Sequence, residues 1–291
     1  MEPQPNATPV IAIVGETASG KTALALELAA RFNGEIIAAD SRTVYRGLDI
    51  GTAKPTPSER QAIPHHLIDV ATPDQQFTAA DFKRLALDAL QQIGEAGNVA
   101  FLVGGTGLYI DAVLYDFSFR PKTDEAIRRQ LQELSVDELQ ALLMERRIAL
   151  PENARNPRHL VRSLETGGLI GERHALRQHT LILGLHIDRE QLRQKITARV
   201  DAMVDAGLVS ELAAAAQRYG WEAAALQTPG YKAFRQYLQG DIPLEEAKEL
   251  FVRADMQLAK RQRTWFKRNK DIHWISKPEE AVDLVTTFLN K

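Results

Sequence analysis

Eight consecutive residues, GETASGKT from Gly15 to Thr22, have the types and spacing needed to hold a phosphate chain. They match G-x-x-x-x-G-K-[ST] through Gly15, Gly20, Lys21 and Thr22. The apolar run VIAIV lies directly before and LALELAARF directly after, a strand–loop–helix context. In that setting the backbone N–H groups of Thr17, Ala18, Ser19, Gly20, Lys21 and Thr22 form a concave nest at the positive end of the helix. Lys21 adds a full charge for the outer phosphate, and the Thr22 hydroxyl is the candidate Mg²⁺ ligand. The spacing alone leaves open whose phosphates are held: a nucleotide makes this a kinase or NTPase, another diphosphate makes it something else.

Two further stretches supply polar groups to the same place. Asp40 closes the run GEIIAAD, so its carboxylate emerges at the carboxyl edge of a sheet, where ligands bind in open α/β folds. It suits an indirect partner of Mg²⁺ and equally a base for an incoming acceptor. In GGTGLY, Gly104, Gly105 and Gly107 allow close backbone approach and Thr106 offers the one side-chain hydroxyl, although turn geometry explains such glycines as readily as binding does. The histidines of PHHLID, Pro64 to Asp69, are adjacent and point in different directions, and neither cysteine nor an HExxH helix accompanies them; packing and loop fixing explain them better than a metal.

These residues need a scaffold, and the N-terminal half alternates strand and helix as a parallel α/β sheet does. Strands are expected at Val10–Val14, Glu35–Ala39, Val99–Val103 and Thr180–Ile187, with helices at Lys21–Phe32 and Ala80–Ile93. Residues 120–168 lose the strand pattern and offer two short helices with Thr123 and Ser135 as N-caps, so residues 120–179 read as a helical insertion between core segments 10–119 and 180–291. Beyond it come an amphipathic helix with Leu192, Ile196, Val200 and Met203 on one side, and a long helix from about Pro243 to Arg268.

Bulk properties exclude several classes. With 291 residues and 44% hydrophobic content the chain can bury a full core, no apolar run approaches a membrane span, and the polar MEPQPNATP of residues 1–9 reads as a loose tail without signal-peptide character. The absence of cysteine excludes disulfides and thiolate metal sites and fits a cytoplasmic protein. The net charge of −2 hides segregation: residues 1–119 carry 8 basic against 14 acidic side chains, whereas residues 253–270 carry 7 against 1. Such local positive faces can dock a polyanion, although a solvated helix has the same composition.

The motifs, taken together, resemble the tRNA dimethylallyltransferases, enzymes that prenylate N6 of the adenosine next to the anticodon. The resemblance runs through GETASGKT, DSRTVYRGLDIGTAKPT, PHHLID, GGTGLY, NPRHLVRSLE, the stretch Arg189–Leu208, GYK at 230–232 and AKRQRTWF at 259–266, in the family's order along nearly the whole chain. It implies a P-loop NTPase-like parallel sheet flanked by helices, with a helical insertion that contacts tRNA. It also implies that GETASGKT holds the diphosphate of dimethylallyl diphosphate with Mg²⁺, and that no nucleotide is consumed. By the family pattern Asp40 is the base and Thr106 lies near the scissile bond. The diphosphate set is Gly15, Thr17, Ala18, Ser19, Gly20, Lys21, Thr22 and Arg261. The tRNA set is Asp40, Ser41, Arg42, Thr43, Thr106, Arg128, Arg158, His159, Leu160, Val161, Arg162, Lys260 and Arg263. A monomer is the default expectation.

Departures from the pattern touch none of Gly20, Lys21, Thr22, Asp40 or Thr106. Glu16 stands where the family usually has Pro, placing an acid beside a diphosphate site, so its side chain is expected to turn outward. Thr43 replaces the usual Gln, His159 an Arg, and Asp255, Met256 and Leu258 replace Thr, Arg and Tyr; Pro229 and Ala233 flank GYK where Ile and Glu are commoner. Trp265 at the end of an amphipathic helix is expected in the core rather than as a stacking surface. Three other classes remain: a P-loop kinase of small metabolites, which lacks an Arg-rich lid motif here; an adenylate isopentenyltransferase with a free nucleotide acceptor; and an RNA-binding protein with a vestigial P-loop, which the intact Lys21, Thr22 and Asp40 argue against.

Overall fold

A computed structural model of the chain describes residues 8–119, 125–169 and 171–290. Six parallel strands form one sheet in the order β3-β2-β4-β1-β5-β6. They are β1 (Val10–Gly15), β2 (Gly34–Ala38), β3 (His65–His66), β4 (Val99–Gly104), β5 (Thr180–Leu185) and β6 (Ile272–Ile275). β1 runs VIAIVG with every residue buried, as a central strand covered on both faces must. The carboxyl ends of β1, β2 and β4 lie side by side, with Val14 opposite Gly104 and Ala38 opposite Val103. The loops after these three strands, which carry Lys21, Asp40 and Thr106, therefore converge on one edge.

Helices α1 (Lys21–Arg31), α2 (Pro57–Ala62), α3 (Ala79–Glu95) and α4 (Gly107–Leu114) connect the first strands. Leu24 and Leu28 of α1 pack with Ile11, Ile13 and Phe101 of the sheet, and Val285 of the C-terminal helix joins them. In α3 the Thr78 side chain caps the first turn, Asp81 bonds back, and Phe82, Ala89 and Ile93 are buried at helical spacing. After β5 come α8 (Arg189–Asp205), α9 (Leu208–Tyr219), α10 (Pro229–Gln239) and the 23-residue α11 (Leu244–Phe266), with α12 (Pro278–Leu289) following β6. Leu192, Ile196, Val200 and Met203 of α8 form one core with Phe234 of α10 and Phe251 of α11. Pro243 directly precedes α11 rather than lying in its first turn, and makes no side-chain capping bond.

The chain divides into two compact units, one running to Leu114 and resuming at Leu176, the other Tyr115–Ala175. The division falls at Tyr115 and Ala175 rather than at 120 and 179. Within the smaller unit there are three described helices, α5 (Glu125–Gln132), α6 (Val136–Glu145) and α7 (Pro157–Thr166), where two were expected. Ser135 caps α6 in a box with Glu138, whereas the expected cap Thr123 lies outside the described residues. β3 and β6 are strands the sequence pattern missed, being two and four residues long. Residues 1–7 of the expected tail also lie outside the described residues, but Thr8 and Pro9 are not loose: the Thr8 hydroxyl donates to Leu90 O at 3.3 Å, and Pro9 O accepts from Ala100 N at 3.1 Å. Among the described residues no helix is long and apolar enough to cross a membrane.

Candidate active site

The phosphate loop turns where the chain can tolerate it. Gly20, the residue before α1, has φ of 95°, and Ala18 adopts φ of 59°, a left-handed conformation that a non-glycine residue enters only at a cost. No side chain caps α1, so the N–H groups of Lys21 and Thr22 face the loop without an intrahelical acceptor. Two of the expected nest donors are otherwise engaged. Thr17 N–H donates to Gln262 Oε1 at 2.8 Å and Ser19 N–H to Glu16 O at 3.2 Å, which leaves the anion-facing donors at the helix end of the loop. Lys21 Nζ donates to Glu16 O at 2.5 Å, and burial pushes its pKa down to about 8, with the Asp40 carboxylate opposing the fall.

Asp40 and Thr106 are brought together by the backbone between them. Thr106 N–H donates to Ala39 O at 3.3 Å, the Thr106 hydroxyl accepts from Ser41 N–H at 3.1 Å, and Asp40 Oδ1 accepts from Arg42 N–H at 2.7 Å. Asp40 also lines the site cavity. The glycines of GGTGLY serve close packing: a Cβ on Gly104 would lie 2.0 Å from Ala39 O, and one on Gly105 2.2 Å from Gln262 Nε2. Thr43 is buried, its hydroxyl directed to Asp40 O at 3.4 Å, so it offers little surface to a partner.

A cavity of about 150 Å³ lies among these loops. Its lining is mixed: Thr17, Lys21, Thr22, Asp40, Thr43, Thr52, His65, Arg199 and Gln262 are polar, and Ala25, Ile36, Ala38, Pro55 and Val103 are apolar. Arg199, from α8, is the cation that sequence reasoning missed. Its Nη1 donates to Thr17 Oγ1 at 2.9 Å and its Nη2 to Asp255 Oδ2 at 2.5 Å, while its Nε is buried without a partner. Ser19 Oγ in the loop and Nε2 of His65, another cavity residue, are buried without partners too. Buried polar atoms left unpaired in this way are positions a ligand's oxygens or a water would satisfy. Burial pushes the Asp255 carboxyl above its usual range, with Arg199 opposing. The other histidine, His66, bonds Glu35 at 2.6 Å, and His65 Nδ1 bonds Ile63 O at 2.7 Å, so the two rings fix different parts of the loop.

Glu16 does not turn outward. Its carboxylate is 3% exposed and bonded by the guanidinium of Arg263, through Nε to Oε1 and through Nη2 to Oε2 at 2.9 Å; Arg263 also donates to Ile187 O at 3.0 Å. Arg263, expected as an RNA contact, is thus bonded to the phosphate loop while its side chain stays 27% exposed. Arg261, expected among the diphosphate ligands, is placed differently from Lys21. It does not line the cavity of Lys21 but an adjoining cleft of about 70 Å³ with Arg42 and Tyr231. Lys260 is exposed on α11.

In the smaller unit, Arg158 and His159 are exposed at the start of α7, capped by Asn156. Leu160 and Val161, expected to contact RNA, are 0% and 4% exposed and pack with Leu139 and Leu143 as core. Arg128 and Arg162 both bond the buried carboxylate of Glu165, at 2.6 Å and 3.1 Å. Burial pushes that carboxyl up, but the two arginines outweigh it and hold the group below the usual carboxylate range. No cluster of three or more acidic or histidine side chains that could cage a metal occurs among the described residues. A Mg²⁺ shared between Thr22 and phosphate oxygens needs no such cage, since that ion keeps several waters and takes one or two protein groups.

Known proteins resemble this chain in sequence and fold. A family model described as IPP transferase matches residues 43–269. The tRNA dimethylallyltransferase 2 of Geotalea uraniireducens is 43% identical over 288 residues, which cover 93% of each chain. The tRNA dimethylallyltransferase of a Roseiflexus species is 42% identical over 293 residues, 95% of each. The full-length tRNA isopentenylpyrophosphate transferase of Bacillus halodurans superposes with a TM-score of 0.74 at 37% identity, covering 97% of this chain and 95% of that one. A eukaryotic dimethylallyltransferase acting on tRNA superposes with 0.76 at 26% identity, covering 92% of this chain and 73% of that one.

Proposed function

The chain belongs to the IPP transferase family, and on that premise we propose that it transfers a dimethylallyl group from dimethylallyl diphosphate to N6 of the adenosine 3′ of the anticodon in tRNA, releasing diphosphate. The observation that carries this reading is the mixed lining of the cavity. Lys21, Arg199 and Thr22 suit a diphosphate, Ala25, Ile36, Ala38 and Val103 suit a short hydrocarbon, and Asp40 lines the same space with its loop held by Thr106.

In the reaction N6 attacks the allylic carbon, the carbon–oxygen bond breaks with its electron pair leaving on diphosphate, and the N6 proton passes to the Asp40 carboxylate. The amine lone pair is delocalised into the ring, so the proton must leave as the new bond forms, and a carboxylate in hydrogen-bond reach is sufficient. Lys21, Arg199 and the N–H groups opening α1 stabilise the charge that grows on the leaving group. Thr22 and the donor's phosphate oxygens would hold Mg²⁺, which supplies further charge neutralisation when bound. The adenosine must be unstacked from the anticodon loop, at a cost of a few kcal/mol that is lower in a loop than in a duplex. Arg42, Arg158, Lys260 and Arg261 are the exposed or cleft-lining cations suited to the RNA backbone. A monomer working in a reducing cytoplasm completes the proposal.

The test is incubation with dimethylallyl diphosphate, Mg²⁺ and unmodified tRNA, or AMP in its place, followed by mass spectrometry of the nucleosides. Prenylated adenosine from tRNA and none from AMP is expected. Product from AMP alone favours the free-nucleotide class, and no product from several tRNAs overturns the proposal.

A further inference from the structure

Trp265 is not a core residue. Its side chain is 42% exposed on α11, although the neighbouring Phe266 is buried at 2%. The indole is nevertheless held in place from two directions. Its Nε1–H donates to Asp111 Oδ2 at 3.1 Å, and its five-membered ring lies against Gly107 so closely that a Cβ there would be 2.3 Å from Trp265 Cδ1. The residue it packs on directly follows Thr106, whose hydroxyl holds the loop of Asp40. An open hollow of about 480 Å³ beside the ring is lined by Lys260, Arg261, Thr264 and Arg268.

A rigid exposed aromatic ring flanked by three cations, one residue from the acceptor side of the site, has the composition of a surface for single-stranded nucleic acid. Cations track the phosphates, and an unstacked base gains a flat π-face in place of the neighbour it has lost. We propose that Trp265 is a stacking platform for a base of the anticodon loop next to the flipped adenosine, with Lys260, Arg261 and Arg268 holding the adjoining phosphates. The proposal rests on tRNA being the acceptor and adds to that reading a contact that holds the loop open after flipping. A protein partner fits less well, because three of the hollow's side chains carry like charge.

The test compares Trp265→Phe with Trp265→Leu in the full chain, using an unmodified anticodon stem-loop RNA. Loss of one stacked base is worth roughly 5- to 150-fold in affinity, so the leucine variant should bind the stem-loop at least about fivefold more weakly, and the phenylalanine variant within about threefold of wild type. KM for dimethylallyl diphosphate should be unchanged in both. A purely structural Trp265 would make Phe and Leu alike, or lower donor affinity as much as RNA affinity, and either result overturns the proposal. So does a leucine variant that binds the stem-loop like wild type but no longer self-associates, which would assign the ring to a second copy of the chain. If wild type prenylates tRNA and the leucine variant binds it normally, the stacking proposal alone fails. If wild type neither binds nor prenylates tRNA, the functional reading fails with it.

Discussion

Lys21 shows how the fold alters an ordinary residue. Burial brings its pKa from 10.5 to about 8, and only its protonated form attracts diphosphate. In the free enzyme Lys21 is charged below that value and neutral above it. Accordingly kcat/KM for dimethylallyl diphosphate, at saturating tRNA, should fall about tenfold per pH unit above pH 8, and a profile flat up to 10.5 would contradict this. Asp40→Ala should lower turnover by at least about 10²-fold while tRNA affinity stays within about twofold; near-normal turnover would remove Asp40 as the base. Arg199 and Asp255 act together, through the bond at 2.5 Å. Either alanine variant should weaken donor binding, but the double variant should be no worse than Arg199→Ala, a coupling of about 1–3 kcal/mol in a double-mutant cycle. Additive losses would separate the two. That Asp40, Lys21 and Thr22 share one cavity was legible because each sits at a fixed offset from a strand end. Arg199 was not, because it is one more arginine on an amphipathic helix and its partner Thr17 lies 182 residues away.

At the scale of elements, α11 does more than present a basic stripe. Through Gln262 it takes the N–H of Thr17, through Arg263 the carboxylate of Glu16, and through Asp255 the fork of Arg199, so one helix fixes both flanks of the phosphate loop. Sequence pattern could place this helix to within two residues of its ends and could not show which way its charges face. The bond from Arg263 to Glu16 was therefore not foreseen, and Trp265 read as core. Removing Arg263 strands a buried carboxylate. Arg263→Gln should raise KM for the donor several-fold and cost about 3 kcal/mol of stability in thermal unfolding, with tRNA affinity little changed. A variant that loses tRNA affinity and keeps donor KM would support the RNA-contact role. The short strands β3 and β6 escaped detection for a related reason, since two and four residues cannot display a period.

At the scale of the whole molecule, a chain of net charge −2 handles a polyanion by segregating its charge, with 7 basic and 1 acidic side chain in residues 253–270. The logarithm of the affinity for tRNA should fall linearly with the logarithm of salt concentration, and Arg158→Ala or Lys260→Ala should each reduce that slope by about one. An unchanged slope would move the RNA elsewhere. The alternation of strands and helices made the sheet, its central strand and the site at its carboxyl edge readable in advance, because a buried parallel strand leaves an uninterrupted apolar run. The pairing of distant charges could not be read, because it follows from three-dimensional packing and not from periodicity.

The most direct test of the central claim, that the P-loop carries the leaving diphosphate of an alkyl donor, is a single turnover with dimethylallyl diphosphate labelled separately in the hydrocarbon and in the terminal phosphate. With unmodified tRNA and no added nucleotide, the hydrocarbon label should appear in tRNA and the phosphate label entirely in free diphosphate. Phosphate label in tRNA, or a requirement for ATP before any label moves, would contradict it.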